Sequence, residues 1–162
     1  MENKLILPKV INKNKAIKFF IDNDMKFIVD EHTSSKNTNI FKPNILDLYY
    51  IYKIITLNKR LSVLEYGCGW SSLVMSQALK NNKTKYSILT ENLRKNNKFE
   101  LHIFDNYKNF LNITKKNFKR YLPKNSNVKF FFSKCLISTH KGCYSSIYQK
   151  KIKMNPDLIY LD

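Results

Sequence analysis

The sequence predicts an α/β fold organised on a parallel sheet. Two observations carry this expectation. Short apolar runs suited to strands, at residues 61–66, 99–105, 128–133 and 157–162, alternate with segments of helical spacing. Such alternation favours parallel strands joined by right-handed crossovers. In addition, the first run ends in an acidic residue and two closely spaced glycines, the mark of a tight strand-to-helix turn.

The elements follow in order. Residues 1–42 are polar and irregular, with a short helix expected at 16–21, a short strand at 26–29 and a loop at 30–39. This region is expected to be an N-terminal arm or lid, set apart from a main domain at 43–162. Pro43 suits a first helical turn, and Ile45, Leu48, Tyr49, Tyr52 and Ile55 continue at helical spacing to about Leu57. After the strand at 61–66, a helix is expected over 71–80, with Leu73, Val74, Ala78 and Leu79 packing on the sheet. Residues 81–85 break it, residues 86–90 have strand character, and 92–98 form a polar loop. A second sheet strand ends at Asp105. A helix at 107–121 follows, with Phe110, Leu111, Thr114, Phe118 and Tyr121 on one face, stopped by Pro123. After the aromatic strand at 128–133, residues 134–155 form a long connection holding Gly142, with 147–153 helical. Pro156 leads into the last strand.

The most informative stretch is Val63-Leu64-Glu65-Tyr66-Gly67-Cys68-Gly69-Trp70-Ser71-Ser72. Glycines at such a turn let a ligand approach the backbone, and the helix start beyond offers free N–H groups. Glu65 would repel a pyrophosphate but suits a cationic amine or sulfonium. This E-x-G-x-G pattern resembles motif I of the class I S-adenosylmethionine (SAM)-dependent methyltransferases. The resemblance implies a Rossmann-like, three-layer sheet with flanking helices. It sets Gly67, Cys68, Gly69, Ser71 and Ser72 around the cofactor and Glu65 near its methionine end. Two rivals remain: a glycine turn with no ligand, and an NAD-type dinucleotide fold of an oxidoreductase. The second fits Gly67-Cys68-Gly69-Trp70-Ser71-Ser72 as G-x-G-x-x-S, but Ser72 replaces its third glycine.

By the same resemblance, Asp105 would accept hydrogen bonds from the ribose hydroxyls; the plainer role for it is a helix N-cap. It lies further from the glycines than the usual spacing of about 20 residues, and Glu91 is the nearer alternative. Ser133, Lys134 and Cys135 occupy the adenine position. Asp162, closing Leu158-Ile159-Tyr160-Leu161-Asp162, looks like the end of the motif IV strand and is the candidate catalytic residue, facing a methyl acceptor. Trp70 is expected to cover a sheet edge rather than a ligand. Together with residues 92–100 and 156–162, the pattern is similar to a group of bacterial class I methyltransferases. That likeness spans roughly residues 43–162, includes the loop inserted before Asp105, and leaves the acceptor, small molecule or polymer, undefined. The family has a larger sheet, so the chain is expected to be truncated: only the first four core strands are present, the last an exposed edge.

Composition bounds the rest. The 162 residues suffice for one domain with a real core. Basic residues outnumber acidic ones 29 to 12, a net charge of +17. The 26 lysines against 3 arginines, with abundant Asn and Ile and two Ala, fit AT-rich coding drift. A specific nucleic-acid partner is therefore not expected, although non-specific attraction to polyanions at low salt is, and a basic nucleic-acid-binding module is a further alternative. Cys68, Cys135 and Cys143 form no C-x-x-C pair, and no secretory signal or membrane span is evident; a cytoplasmic location is expected. His32, His102 and His140 lack ligand spacing, so no metal site is predicted. Oligomeric state is left open.

Overall fold

The computed structural model describes residues 5–35 and 41–162. It is an α/β protein with a four-stranded parallel sheet. The order is α1 (Lys13–Asp22), α2 (Lys26–Thr33), α3 (Ile45–Leu57), β1 (Ser62–Tyr66), α4 (Trp70–Thr90), β2 (Glu100–Asp105), α5 (Lys108–Tyr121), β3 (Val128–Phe132), β4 (Cys135–His140), β5 (Cys143–Tyr148) and β6 (Leu158–Leu161). The sheet runs β3-β2-β1-β6, all parallel, and β4 and β5 form a separate antiparallel hairpin.

The strand expected at 26–29 is the start of helix α2, and the loop expected from residue 30 begins only after Thr33. Burial decides this: Met25 and Ile28, three apart, both reach zero exposure beside Ala16 and Phe20 of α1. Helices α1 and α2 thus share the main core with α3. The rest of the expected loop, residues 36–39, lies outside the described residues. Helix α3 begins at Ile45, not Pro43, because Asn44 caps it by accepting from the N–H groups of Leu46 and Asp47.

The break expected at 81–85 does not occur, and residues 86–90 are helical rather than strand-like; α4 runs unbroken to Thr90. Asparagine is a poor interior helix residue because its side chain competes for backbone partners. Here those side chains are engaged elsewhere. Asn82, buried, donates to the carbonyls of Ile55 (3.1 Å) and Arg60 (2.8 Å), and Asn81 donates to the Tyr52 hydroxyl. The two asparagines therefore tie α4 to α3 and to the turn after it instead of breaking α4.

The sheet register places Val63, Leu101, Ile103, Val128, Phe130, Leu158 and Tyr160 on one face, and all of them join the core with the helices. The other face carries Leu64, Tyr66, His102, Phe104 and Phe131. No helix packs there among the described residues. The connection from β3 to β6 crosses it instead: the Tyr148 ring lies 4.8 Å from Tyr66, and the Lys150 ammonium 4.8 Å from the Phe131 centroid. Residues 147–153, expected to be helical, are the end of β5 and irregular chain. Within this connection Lys141 and Gly142 take φ of 49° and 80°, the two positive values that a two-residue hairpin turn demands.

At the amino end, the Asp157 carboxylate accepts from the N–H groups of Leu61 (2.9 Å) and Ser62 (2.7 Å) and from the Ser62 hydroxyl (2.8 Å), fixing β6 beside β1. Chain order reverses at this junction, since β1, β2 and β3 proceed one way and β6 returns to the far side of β1. Ligands of open α/β sheets collect at the carboxyl ends of strands flanking such a reversal.

Candidate functional site

The turn after β1 occupies that position. Gly67 has φ of +94°, which side chains resist, and its N–H donates to the Phe104 carbonyl at 2.8 Å. A Cβ on Gly67 would come within 2.8 Å of the Asp162 Cβ, so glycine is required on two counts. Gly69 differs. Its backbone is extended, and an added Cβ would meet only the Asp162 carboxylate at an ordinary 3.7 Å.

Glu65 does not face outward. It is wholly buried, receiving hydrogen bonds from Ser71 Oγ at 2.6 Å and Ser72 Oγ at 2.5 Å. Ser72 Oγ in turn accepts from the Gly69 N–H at 3.2 Å. Burial pushes the Glu65 carboxyl up to about 8, against the two serine hydrogen bonds that lower it. At neutral pH the group is mostly protonated. The expectation of a Glu65 carboxylate beside a cationic ligand is thereby corrected: Glu65 ties the strand end to the first turn of α4, and its low-dielectric surroundings disfavour the charge.

What opens at the turn is a cleft of about 320 Å³ between the start of α3 and the start of α4. Its size is at the lower end of small-molecule sites, roughly 300–1,000 Å³. Apolar and aromatic walls come from Phe41, Pro43, Leu48, Ile51, Trp70, Phe110 and Tyr160, while Cys68, Gly69, Ser71, Asp47 and Asp162 supply the polar floor. Lys42 is the basic residue on its rim. Trp70 does more than cover a sheet edge: it lines the cleft, and its Nε1–H donates to the Phe41 carbonyl at 3.0 Å.

Asp162 follows β6 with its N–H on the Tyr66 carbonyl (2.9 Å), and its Oδ2 lies 3.5 Å from Ser71 Oγ. Partial burial and the charge of Asp105 hold its carboxyl above the ordinary range, against hydrogen bonds from Ser71 and Tyr160. The Tyr160 phenol is pushed up to about 12, first by burial and then by Asp162, Glu65 and Asp47. Neither Asp47 nor Asp162 enters an ion pair among the described residues. In a protein of net charge +17, this is a local concentration of negative charge.

Asp105 sits at the carboxyl end of β2 but is buried behind the turn, outside the cleft lining. It is not the N-cap of α5, which is Tyr107; its Oδ1 accepts from the Tyr107 N–H at 2.6 Å in a tight local turn. The Cys68 thiol hydrogen-bonds with Asp105 and accepts from Thr114 Oγ1 at 3.4 Å; burial and the neighbouring carboxylate push its pKa up, which disfavours the thiolate. Glu91, the alternative to Asp105, caps the C-terminus of α4 and precedes β2, hence lies at the amino end of the sheet, away from the turn. Ser133 is spent on structure: its N–H donates to the Asp105 carbonyl and its Oγ accepts from the Lys150 N–H. Lys134 and Cys135 lead into β4. His32 and His102 hold the Pro43 carbonyl (2.8 Å) and Glu100 (2.9 Å).

The structure therefore brings Cys68, Gly69, Ser71 and Asp162 to one cleft and withdraws Glu65, Ser72 and Asp105 behind it. Sequence reasoning missed Asp47, Tyr160 and Phe110 as cleft residues. Asp47 had a signal, being the sole acid in a largely apolar helix. No helix among the described residues is long and apolar enough to cross a membrane. Comparison with protein-family models, with curated proteins and with solved structures finds no match.

Proposed function

We propose that the chain is a SAM-dependent methyltransferase domain of Rossmann-like type, acting on an acceptor of undefined class. One observation carries the reading: an acid-floored, aromatic-walled cleft stands where strand order reverses, in a protein that is otherwise strongly basic. Such a cleft suits a ligand that is both cationic and partly apolar. The residues present fit SAM in this respect, with Asp162 and Asp47 as counter-charges in place of the sealed Glu65. Bound SAM supplies a methyl group on a positively charged sulfonium, open to direct displacement.

The residues of the chain have separate tasks in this reading. Gly67 gives the turn its shape, and Glu65, Ser71 and Ser72 pin it to α4. Trp70, Phe110 and Tyr160 exclude water. Asp162, with its raised affinity for protons, is placed to hold or orient an acceptor proton. The acidic lining speaks against a pyrophosphate-bearing dinucleotide.

Calorimetry tests the proposal. SAM is expected to bind, and Asp162→Asn to weaken binding about tenfold, the effect of losing roughly 1.4 kcal/mol of charge attraction. Heat evolved with NAD but none with SAM would replace this reading by the oxidoreductase one. Glu65→Ala and Gly67→Val are poor tests, because both would disturb the turn itself.

A further inference from the structure

The Glu65 carboxyl has two hydrogen-bond partners among the described residues, one serine hydroxyl on each oxygen. They lead to different places. Ser72 Oγ, 2.5 Å from Oε2, is buried and accepts from the Gly69 N–H; a backbone amide passes no proton on, so this side is closed. Ser71 Oγ stands 2.6 Å from Oε1 and 3.5 Å from Asp162 Oδ2, and both Ser71 and Asp162 line the cleft. Each serine has one proton to donate. With Glu65 ionised, both hydroxyls turn to it, and Asp162 has no donor from Ser71. With Oε1 protonated, every donor finds an acceptor in one direction: Gly69 N–H to Ser72, Ser72 to Oε2, Oε1 to Ser71, and Ser71 to the Asp162 carboxylate. The titratable groups facing Glu65 are Asp162, Asp105, the Cys68 thiol and the Tyr160 phenol, and no basic side chain pairs with it among the described residues. Burial and two neighbouring carboxylates therefore favour the protonated arrangement, and a cation beside Asp162 opposes it.

We propose that Glu65 is the proton store of the cleft and that Ser71 passes its proton to and from Asp162. The Ser71 hydroxyl takes the proton of Oε1 as it gives its own to Oδ2, so the buried charge changes without water entering. A cation bound at Asp162 lowers the proton affinity of both carboxyls, and by reciprocity loss of the proton strengthens cation binding. The use of this path rests on the methyltransferase reading, and it suits an acceptor group that carries a proton, an amine or a hydroxyl. As the methyl group leaves sulfur for the acceptor's nitrogen or oxygen, the N–H or O–H proton goes to Asp162 Oδ2, Ser71 hands one on, and Glu65 Oε1 ends protonated. The positive charge that kept Glu65 ionised disappears in the same step, so the store regains its proton affinity as the acceptor releases its proton.

Two measurements on the full chain test this. The first needs no ligand: the Asp162 carboxyl carbon is followed by NMR as pH is raised. In the wild type a second step is expected at about 8, where Glu65 titrates. Ser71→Ala and Ser72→Ala each take one hydroxyl from Glu65 and shift the midpoint alike, but only Ser71→Ala cuts Glu65 from Asp162. The amplitude of the step should shrink in Ser71→Ala, persist in Ser72→Ala and return in Ser71→Thr, which restores the hydroxyl. Equal amplitudes in the two alanine variants would mean that Asp162 feels Glu65 through charge alone, and would overturn the path. The second measurement is calorimetry with SAM near neutral pH, in buffers of different ionisation heat. The wild type is expected to release a proton that Glu65→Gln does not. Equal release by the two proteins would remove Glu65 as the store while leaving SAM binding intact. Absence of SAM binding would remove the methyltransferase reading instead, and the ligand-free titration would then decide the path by itself.

Discussion

Glu65 shows how one side chain can be conspicuous in sequence and serve an unexpected purpose. A carboxyl with no water around it prefers its proton, and two serine hydroxyls are too little to reverse that preference. The folded group holds a proton up to about 8, whereas in the unfolded chain it lets go near 4.5. Between these values the native state binds more protons than the unfolded state. Stability from this group is therefore complete below about 4.5 and is lost as pH rises through about 8. Glu65→Gln keeps the shape and the serine partners but cannot ionise. In urea melts at pH 5 and pH 8.5, the wild type should lose more stability between the two than the Gln variant. Parallel losses in both proteins would contradict a protonated Glu65.

Among the elements, α4 illustrates how tertiary partners rescue an unpromising sequence. Its Asn81-Asn82 pair has weak helix propensity, yet both side chains reach across to α3. Asn82 closes the Arg60 carbonyl and shares the Ile55 carbonyl with the Arg60 N–H. Asn82→Ala raises intrinsic helix propensity and still should destabilise the protein by about 2 kcal/mol, because the orphaned Arg60 carbonyl and the lost bond to Ile55 cost more than the propensity gains. A lowered urea midpoint with unchanged slope is the expected reading. An unaltered or raised midpoint would mean that water or other groups serve those carbonyls. The hairpin of β4 and β5 makes the converse point, for its turn is local. Lys141-Gly142 between two runs with strand composition is a legible two-residue turn. The expectation of a long connection over 134–155, helical at 147–153, passed over it.

Over the whole molecule, the carboxyl end of the parallel sheet gathers acidic side chains. Segments that follow strands bring Asp105 and Asp162 together, with Glu65 one residue before the end of β1. Segments that precede strands carry Lys124 in one hollow and Arg94 and Lys153 in another, alongside Asp157. A basic protein thereby keeps an acidic cleft. The sheet also leaves β6 paired on one side only among the described residues. Ile159 and Leu161 are 58% and 73% exposed on the face away from the helices. An apolar edge of this kind invites strand addition. Ile159→Lys should reduce concentration-dependent light scattering without lowering the melting temperature appreciably; unchanged scattering would place self-association elsewhere.

The sequence by itself determined the parallel α/β plan, the four sheet strands to within a residue or two, and the turn at Gly67. Those features rest on local physics: apolar runs of strand length, and a backbone bend that only glycine makes cheaply. Tertiary structure decided which of the singled-out side chains meet in the cleft. Asp105 and Glu65 lie at strand ends as expected, but side-chain direction and burial, which depend on the packed helices, turn them inward. Asp47 and Tyr160 reach the cleft from elements more than a hundred residues apart. Helix α2 and the second half of α4 were likewise settled by partners distant in the chain, because a short segment of mixed propensity takes the conformation that its neighbours bury best.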